Sequence, residues 1–582
     1  MRNERHDAET SDWPLRPWIL AGVCALAGLT FQRLAGRYLF AETAHAWREP
    51  VATAVAIAAL SFSITVEQKR LWWSAAFALA WGAVIGLVGY FTLSYNHIAT
   101  MFEWPFLSGL FAVLLAAPLF QTVRDAGAWR FDYVTLHRHA WSDAVIGFAG
   151  LVFVGIAFIL AWLLAALFDL IGIDVLKQLM KEDWFGWILA GFSFGSAVGL
   201  LRERDALVAN LQRLVTVVLS VLAPVLAVGL GLFLLSLPFT GLGKLWASSL
   251  PTTPLMLSAA AFAVLLTNAV IGDGVGNEDR RPGRILQQSA LLLCLCVLPL
   301  AVIGAVSLAQ RVDQHGWTPE RIWGVLCVAV ALIYGAAGWW SVARGRMDFD
   351  ALLRPLQIKM ALGLCAVALF LALPILDFGA ISTRSQMDRL ARGLVTTAKF
   401  DWRAMAFSFG PAGRRDLKAI AEHGPVDQRP LASAALAAKN RWQVDDDVGT
   451  VQAAGSLDHW LRMVPATRPA PPALRDAIAQ SKFCRDQPCA AIWVDDQRVL
   501  IAGERRQDIG LSQSTFILRK EGNWEDMGDY MAPPVLTTPG QSQPEHAVNV
   551  ATAPIDLRTV QRRQLVVDGK PVGEPFEEGA GE

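Results

Sequence analysis

Charge is scarce in this chain. Asp, Glu, Lys and Arg make up 18% of its 582 residues, where ordinary soluble proteins carry about a quarter. The 51 basic and 51 acidic residues cancel, so no global field draws the chain to nucleic acid or to an acidic surface. Three chemistry-bearing patterns are absent: GxxxxGK[ST] for cradling phosphates, HExxH for zinc and CxxC for dithiol or metal work. No cofactor and no metal is therefore expected. Tyrosine is sparse as well, 6 residues against 22 Trp.

What is present is apolar. The hydrophobic share is 54%, and Trp pairs such as Trp72-Trp73 and Trp339-Trp340 stand at the ends of apolar runs, where amphipathic rings favour a membrane interface. Charge-free runs fall at 17–32, 50–66, 71–93, 104–121, 144–168, 184–201, 214–238, 253–272, 285–308, 322–341 and 360–376. A hydrocarbon core of about 30 Å needs about 20 such residues as a helix. Helix is required because each backbone polar group inside lipid must be satisfied within its own segment. About eleven transmembrane helices are predicted. The first 16 residues are polar, and no small-residue cleavage site follows the first run, so that run reads as an uncleaved span.

Lys and Arg in the loops set the orientation. With the N-terminus in the cytoplasm, the cytoplasmic side holds 18 of them and the opposite side 8. Eleven spans then put the C-terminus outside the cytoplasm. The transmembrane body is expected over 1–379. An extracytoplasmic α+β domain is expected over 380–582, with helices near 383–398, 414–423, 429–441 and 472–481. Strands follow near 490–494, 498–502, 515–519 and 564–567, and Pro533 to Pro544 reads as a loop. Cys484 and Cys489 flank a turn containing Asp, Gln and Pro, and outside the cytoplasm they are expected to form a disulfide.

Small residues recur at four-residue spacing, Gly191, Gly195 and Gly199 in one span and Gly82 and Gly86 in another. Such faces let helix backbones approach closely. Gly191 to Gly195 also matches G-x-S-x-G, but that nucleophile motif needs a strand–turn–helix setting, and here it lies inside an apolar span. The pattern Leu163, Leu164, Phe168, Gly172 recurs at Leu234, Leu235, Phe239, Gly243, either an internal duplication of the kind found in transporters or chance.

Two stretches carry a resemblance. One runs from Gln314 to Arg321 and contains Thr318-Pro319-Glu320. The other, Ile381 to Leu390, contains Gln386 and Arg389 and is followed by Phe400-Asp401. Together they resemble a bacterial family of multi-pass membrane proteins, domain of unknown function 4153. The resemblance implies an inner-membrane protein and carries no catalytic residue. Thr318 and Pro319 also read as a helix cap and first position.

Polar residues within the membrane are the first places to seek function. Asn268 and Gln287, with Asp169 and Asp377 at span ends, mark a candidate substrate path or, equally, helix packing and capping. His137, Arg138 and His139 read as a basic patch facing anionic lipid heads. Three functions fit: a transport-like role or handling of a lipid or envelope component; a non-catalytic scaffold or sensor with an envelope partner; and a lipid-linked glycosyltransferase. The last needs a carboxylate base in the first outer loop, which offers Glu42, His45 and Glu49. Membrane lipids are the expected partners. The sequence does not fix an oligomeric state.

Overall fold

The computed structural model of the protein describes residues 13–35, 47–93, 104–241, 243, 251–275, 283–481, 484, 488–504, 511–518, 522–530, 554–555, 562–567 and 570–577. Two compact units divide the chain. Met1–Leu394 and Phe407–Arg414 form the first, and Val395–Ala406 with Arg415–Glu582 the second. The first unit thus continues past Gly379, where the sequence placed its limit.

The first unit is helical: α1 (Arg16–Ala35), α2 (Arg48–Thr65), α3 (Leu71–Leu93), α4 (Trp104–Ala126), α5 (Tyr133–Leu170), α6 (Val175–Leu179), α7 (Asp183–Arg202), α8 (Asp205–Thr240), α9 (Thr252–Ile271), α10 (Arg284–His315), α11 (Pro319–Gly345), α12 (Phe349–Ala372) and α13 (Phe378–Ala391). Among the described residues, nine helices are long and apolar enough to cross a membrane. One of the nine, Pro319–Ala372, contains both α11 and α12, which a 3-10 turn at Arg346–Asp348 separates. Arg346 takes a positive φ of 50° there. Local chemistry starts the helices. Asp132 accepts from the Thr135 amide at 3.0 Å, and Asp377 from Ala380 at 2.8 Å. Thr318 caps Arg321 ahead of Pro319 at the first position, which satisfies amides that a helix start leaves unpaired.

Small residues set the packing. A Cβ built on Gly191, Gly195 or Gly199 would fall on the α1 backbone, at Cys24, Leu20 and Pro17 respectively. On Gly82 and Gly86 it would meet Ala54 of α2, 2.6 Å from its oxygen and 2.8 Å from its Cβ. Helices α1 and α7, and α2 and α3, therefore touch backbone to backbone. The largest apolar core lies between α8, α9, α10 and α12, around Leu266, Leu293, Leu300 and Phe349. A second, of Leu20, Cys24, Phe194 and Val198, seals α1 against α7.

Beyond α13 the chain forms α14 (Trp402–Phe407), α15 (Gly410–His423), α16 (Arg429–Ala437), α17 (Arg441–Trp460) and α18 (Pro472–Gln480). Strands β1 (Leu461–Val464), β2 (Cys489–Trp493), β3 (Arg498–Glu504), β4 (Leu511–Leu518) and β5 (Trp524–Tyr530) pair in that order. β1 runs parallel to β2, and the remaining pairs are antiparallel. β6 (Arg562–Val567) and β7 (Lys570–Glu577) form a separate hairpin pair. Every residue of β2 is buried. Ala491 and Trp493 join Val499, Ile501 and Phe516 in one apolar layer, while Ala490 and Ile492 join Leu500 and Ala502 in another. A strand covered on both faces reads as a continuous apolar run, as Cys-Ala-Ala-Ile-Trp does. The Cys484–Cys489 disulfide is formed, with Cα atoms 5.4 Å apart, and both residues belong to the first layer. The Pro533 to Pro544 stretch lies outside the described residues.

Candidate functional site: a polar collar and an apolar cavity

The first turns of α5 carry two polar stripes, because residues four apart share a helix face. Tyr133, His137 and Trp141 form one. The Tyr133 hydroxyl donates to Gln357 Oε1 of α12 at 2.8 Å, and Trp141 Nε1 donates to Asn268 Oδ1 of α9 at 3.2 Å. Asn268 Nδ2 closes the chain onto Gln357 Oε1 at 3.0 Å. Beside it Arg138 pairs with Asp273 at 2.9 Å. Arg354 donates to the Ile271 carbonyl at 2.7 Å and pairs with Asp350 at 2.9 Å.

His139 and Asp143 form the other stripe, against α4. His139 Nε2 lies 2.9 Å from Asp125 Oδ2, and Asp143 Oδ1 accepts from Gln121 Nε2 at 3.1 Å. From there the network passes to α2, α1 and α7. Gln121 Nε2 also donates to the Ile64 carbonyl at 3.0 Å. Arg124 pairs with Asp125 at 2.7 Å and donates to the Thr65 carbonyl, while Arg70 donates to the Arg124 carbonyl. Arg16, 5% exposed, reaches Glu67 at 2.7 Å and Glu203 at 3.2 Å, and Arg202 lies 3.9 Å from Glu67. The starts of α1, α3, α5 and α12 and the ends of α2, α4, α7 and α9 thus meet in one collar of polar and charged groups, with Arg16, Gln121 and Arg124 buried and Glu67, Asp125 and Arg138 open in part to solvent. Such a collar is stable only because each ion has a partner; removing one partner of a buried pair costs about 3–5 kcal/mol.

Away from the collar, toward the other ends of the same helices, α4 and α9 to α12 line an open-sided cavity of about 670 Å³. Its walls are apolar, with Phe111, Val264, Leu326 and Leu364 among them. The Ser108 hydroxyl in the wall is already committed to the Ala368 carbonyl at 2.8 Å. On α9 the lining runs from Pro254 to Val264, about 15 Å at the helical rise of 1.5 Å per residue. Trp323 belongs to the lining; it stacks on Trp104 at 5.7 Å and meets Phe378 edge-on at 5.5 Å.

At that end the two stretches singled out in the sequence come together. Gln386 Nε2 donates to the carbonyls of His315 and Trp317 at 2.9 and 3.0 Å. Arg389 donates to those of Asp313 and Gln314 at 3.3 and 2.6 Å, and Arg321 to those of His315 and Gly316 at 3.1 and 2.6 Å. Gly316, at φ 73°, lies so close that a Cβ would sit 2.5 Å from Arg389 Cδ and 2.9 Å from Gln386 Nε2.

The other predicted positions separate. Asn268 belongs to the collar. Gln287 donates to the Met347 carbonyl at 2.6 Å, Asp169 pairs with Lys177 at 2.7 Å, and Asp377 caps α13. Glu49 lies in the first turn of α2, while Glu42 and His45 fall outside the described residues. Of the basic patch, His137 is buried, 7% exposed, while the exposed Arg138 pairs with Asp273 and His139 with Asp125. Sequence reading passed over Arg16, Glu67, Gln121, Arg124, Asp143 and Glu203. The four-residue spacing from His139 to Asp143 was the available signal. No group of three or more His, Cys, Asp or Glu able to hold a metal occurs among the described residues. In the second unit, Arg498 beside Asp495 holds that carboxyl below its ordinary range, and Arg468 stands 3.7 Å over the Trp493 ring.

Compared with models of known families, with curated proteins and with solved structures, the chain matches none.

Proposed function

We propose that the protein is a transport-like membrane protein that handles a lipid or another apolar envelope component. The apolar cavity carries this reading. At about 670 Å³ it falls within the roughly 300–1,000 Å³ of small-molecule sites, and its hydroxyl-poor walls suit a hydrocarbon chain. Its length along α9, about 15 Å, is half of a hydrocarbon core of about 30 Å. A chain from one leaflet would fill it, with its head near the Trp104, Trp323 and Phe378 rings. Counting α2, and counting α11 and α12 separately, gives eleven crossings. With the N-terminus in the cytoplasm, the collar then faces the cytoplasm and the cavity serves the outer leaflet. The second unit lies outside, where its disulfide would persist and where it would meet an envelope partner. A bacterial inner membrane and kinship with domain of unknown function 4153 belong to the same proposal, supported by the Thr318, Pro319, Arg321, Gln386 and Arg389 motif.

The test fills the cavity. Native mass spectrometry of the full chain should find a co-purifying lipid. Ala261→Trp and Ala331→Trp should each lower its occupancy about tenfold, the change that about 1.4 kcal/mol produces. Equal lipid on parent and variants would refute the proposal.

A further inference from the structure

The collar contains a fault that one hydrogen atom repairs. Gln121 is fully buried, and the orientation of its amide is fixed: the Ile64 carbonyl at 3.0 Å only accepts, so Nε2 must face it. The second Nε2 hydrogen goes to Asp143 Oδ1 at 3.1 Å. Two buried oxygens are left with no donor, Gln121 Oε1 and Asp143 Oδ2. A buried acceptor without a donor is costly and rare in a folded protein. These two atoms belong to the same amide–carboxyl contact, and a carboxylic acid meets a primary amide through two bonds, N–H to one carboxyl oxygen and O–H from the other to the amide oxygen. The first bond is present.

We infer that Asp143 is a proton-binding site, its acid O–H on Oδ2 donating to Gln121 Oε1 and closing a two-bond pair between α5 and α4. Loading takes one proton from water onto the carboxylate, and unloading returns it. The charges facing the site are Arg202 from α7, Arg124 from α4 and His139 from α5 itself. Among the described residues none forms an ion pair with Asp143. Arg124 is taken by Asp125, Arg202 approaches Glu67, and His139 is bound to Asp125. An ionised Asp143 would therefore be a buried charge without a salt bridge, its Oδ2 lacking a donor while Gln121 Oε1 lacks one too. Gaining or losing the proton makes or breaks one of the two bonds between Gln121 of α4 and Asp143 of α5. The site lies in the collar, separate from the cavity, and does not depend on the cavity's occupant.

Infrared spectroscopy of the full chain in lipid vesicles at pH 5 tests this directly. The carbonyl stretch of a protonated carboxyl should be present and should fall by one carboxyl per chain in Asp143→Asn. Gln121→Met keeps the acid and removes its acceptor, so the same stretch should move to higher frequency. If Asp143→Asn fails to fold, that frequency shift alone decides. Spectra that coincide for parent and variants in this region would overturn the inference, because Asp143 would then be a carboxylate. A stretch that appears only when sodium is removed would overturn it too, by identifying a metal cation in the proton's place.

Discussion

The two ends of the first unit handle burial in opposite ways. At the collar, Arg16, Arg124, Arg202, Glu67, Asp125 and Glu203 are drawn together: Arg16 reaches Glu67 and Glu203, Arg202 approaches Glu67, and Arg124 pairs with its neighbour Asp125 and holds the Thr65 carbonyl of α2. Toward the other end, the same helices surround apolar walls and leave about 670 Å³ between them. Directional, ion-paired contacts fix helix ends at one position and fail steeply when a member is lost. Apolar walls tolerate a gap, because dispersion contacts are individually small. The collar is thus the rigid end and the cavity the adaptable one.

The largest test of that contrast removes the collar's most connected cation. Arg16→Met should cost about 3–5 kcal/mol, because it leaves Glu67 and Glu203 short of a partner; thermal melting in detergent reads it. An unchanged melting temperature would mean the collar is not the rigid end. Gly195→Leu asks whether close helix approach is what delivers Arg16 to its partners. Overpacking costs about 1–3 kcal/mol, with the upper end expected because the side chain would meet the Leu20 carbonyl. A parent-like melt would detach the glycine face from the collar. The smallest effect sharpens the other end. Leu300→Ala, in the packed core, should cost about 2–5 kcal/mol, whereas Leu326→Ala, on the cavity wall, should cost less than about 1 kcal/mol, since deleted wall atoms face space rather than neighbours. Equal losses would show that the wall is packed.

Sequence reading captured what depends on local pattern. Apolar runs gave the long helices, glycine spacing marked faces on α3 and α7 without naming the helices they meet, and the turn between Cys484 and Cys489 gave the disulfide. It missed what depends on distant partners. Asp143 stands next to a span boundary, where a carboxylate reads as solvated; the packing of α4 against α5, which brings Gln121 to it, is not written in the local sequence. The burial of His137 and the pairing of Arg138 with Asp273 depend on α9 and the residues after it, more than a hundred positions away in sequence. The cavity had no signature at all, since its walls are the same Leu, Val and Ala that fill the cores. In the second unit α17 went unread because Asp445, Asp446, Asp447 and Gly449 interrupt its apolar pattern, and β5 because its Glu, Asp and Gly resemble a turn.

The junction around Gly316 has a consequence for which residues the chain can exchange. Gln386, Arg389 and Arg321 hold the segment from Asp313 to Trp317 by its carbonyl oxygens, and every amino acid presents the same carbonyl. Side chains at 313, 314, 315 and 317 are therefore not read by these donors and are free to vary as far as this junction is concerned. The identity requirement falls on the three readers and on Gly316, where a Cβ would collide with two of them. A short motif of this kind records the grip of one segment on another rather than any chemistry performed there.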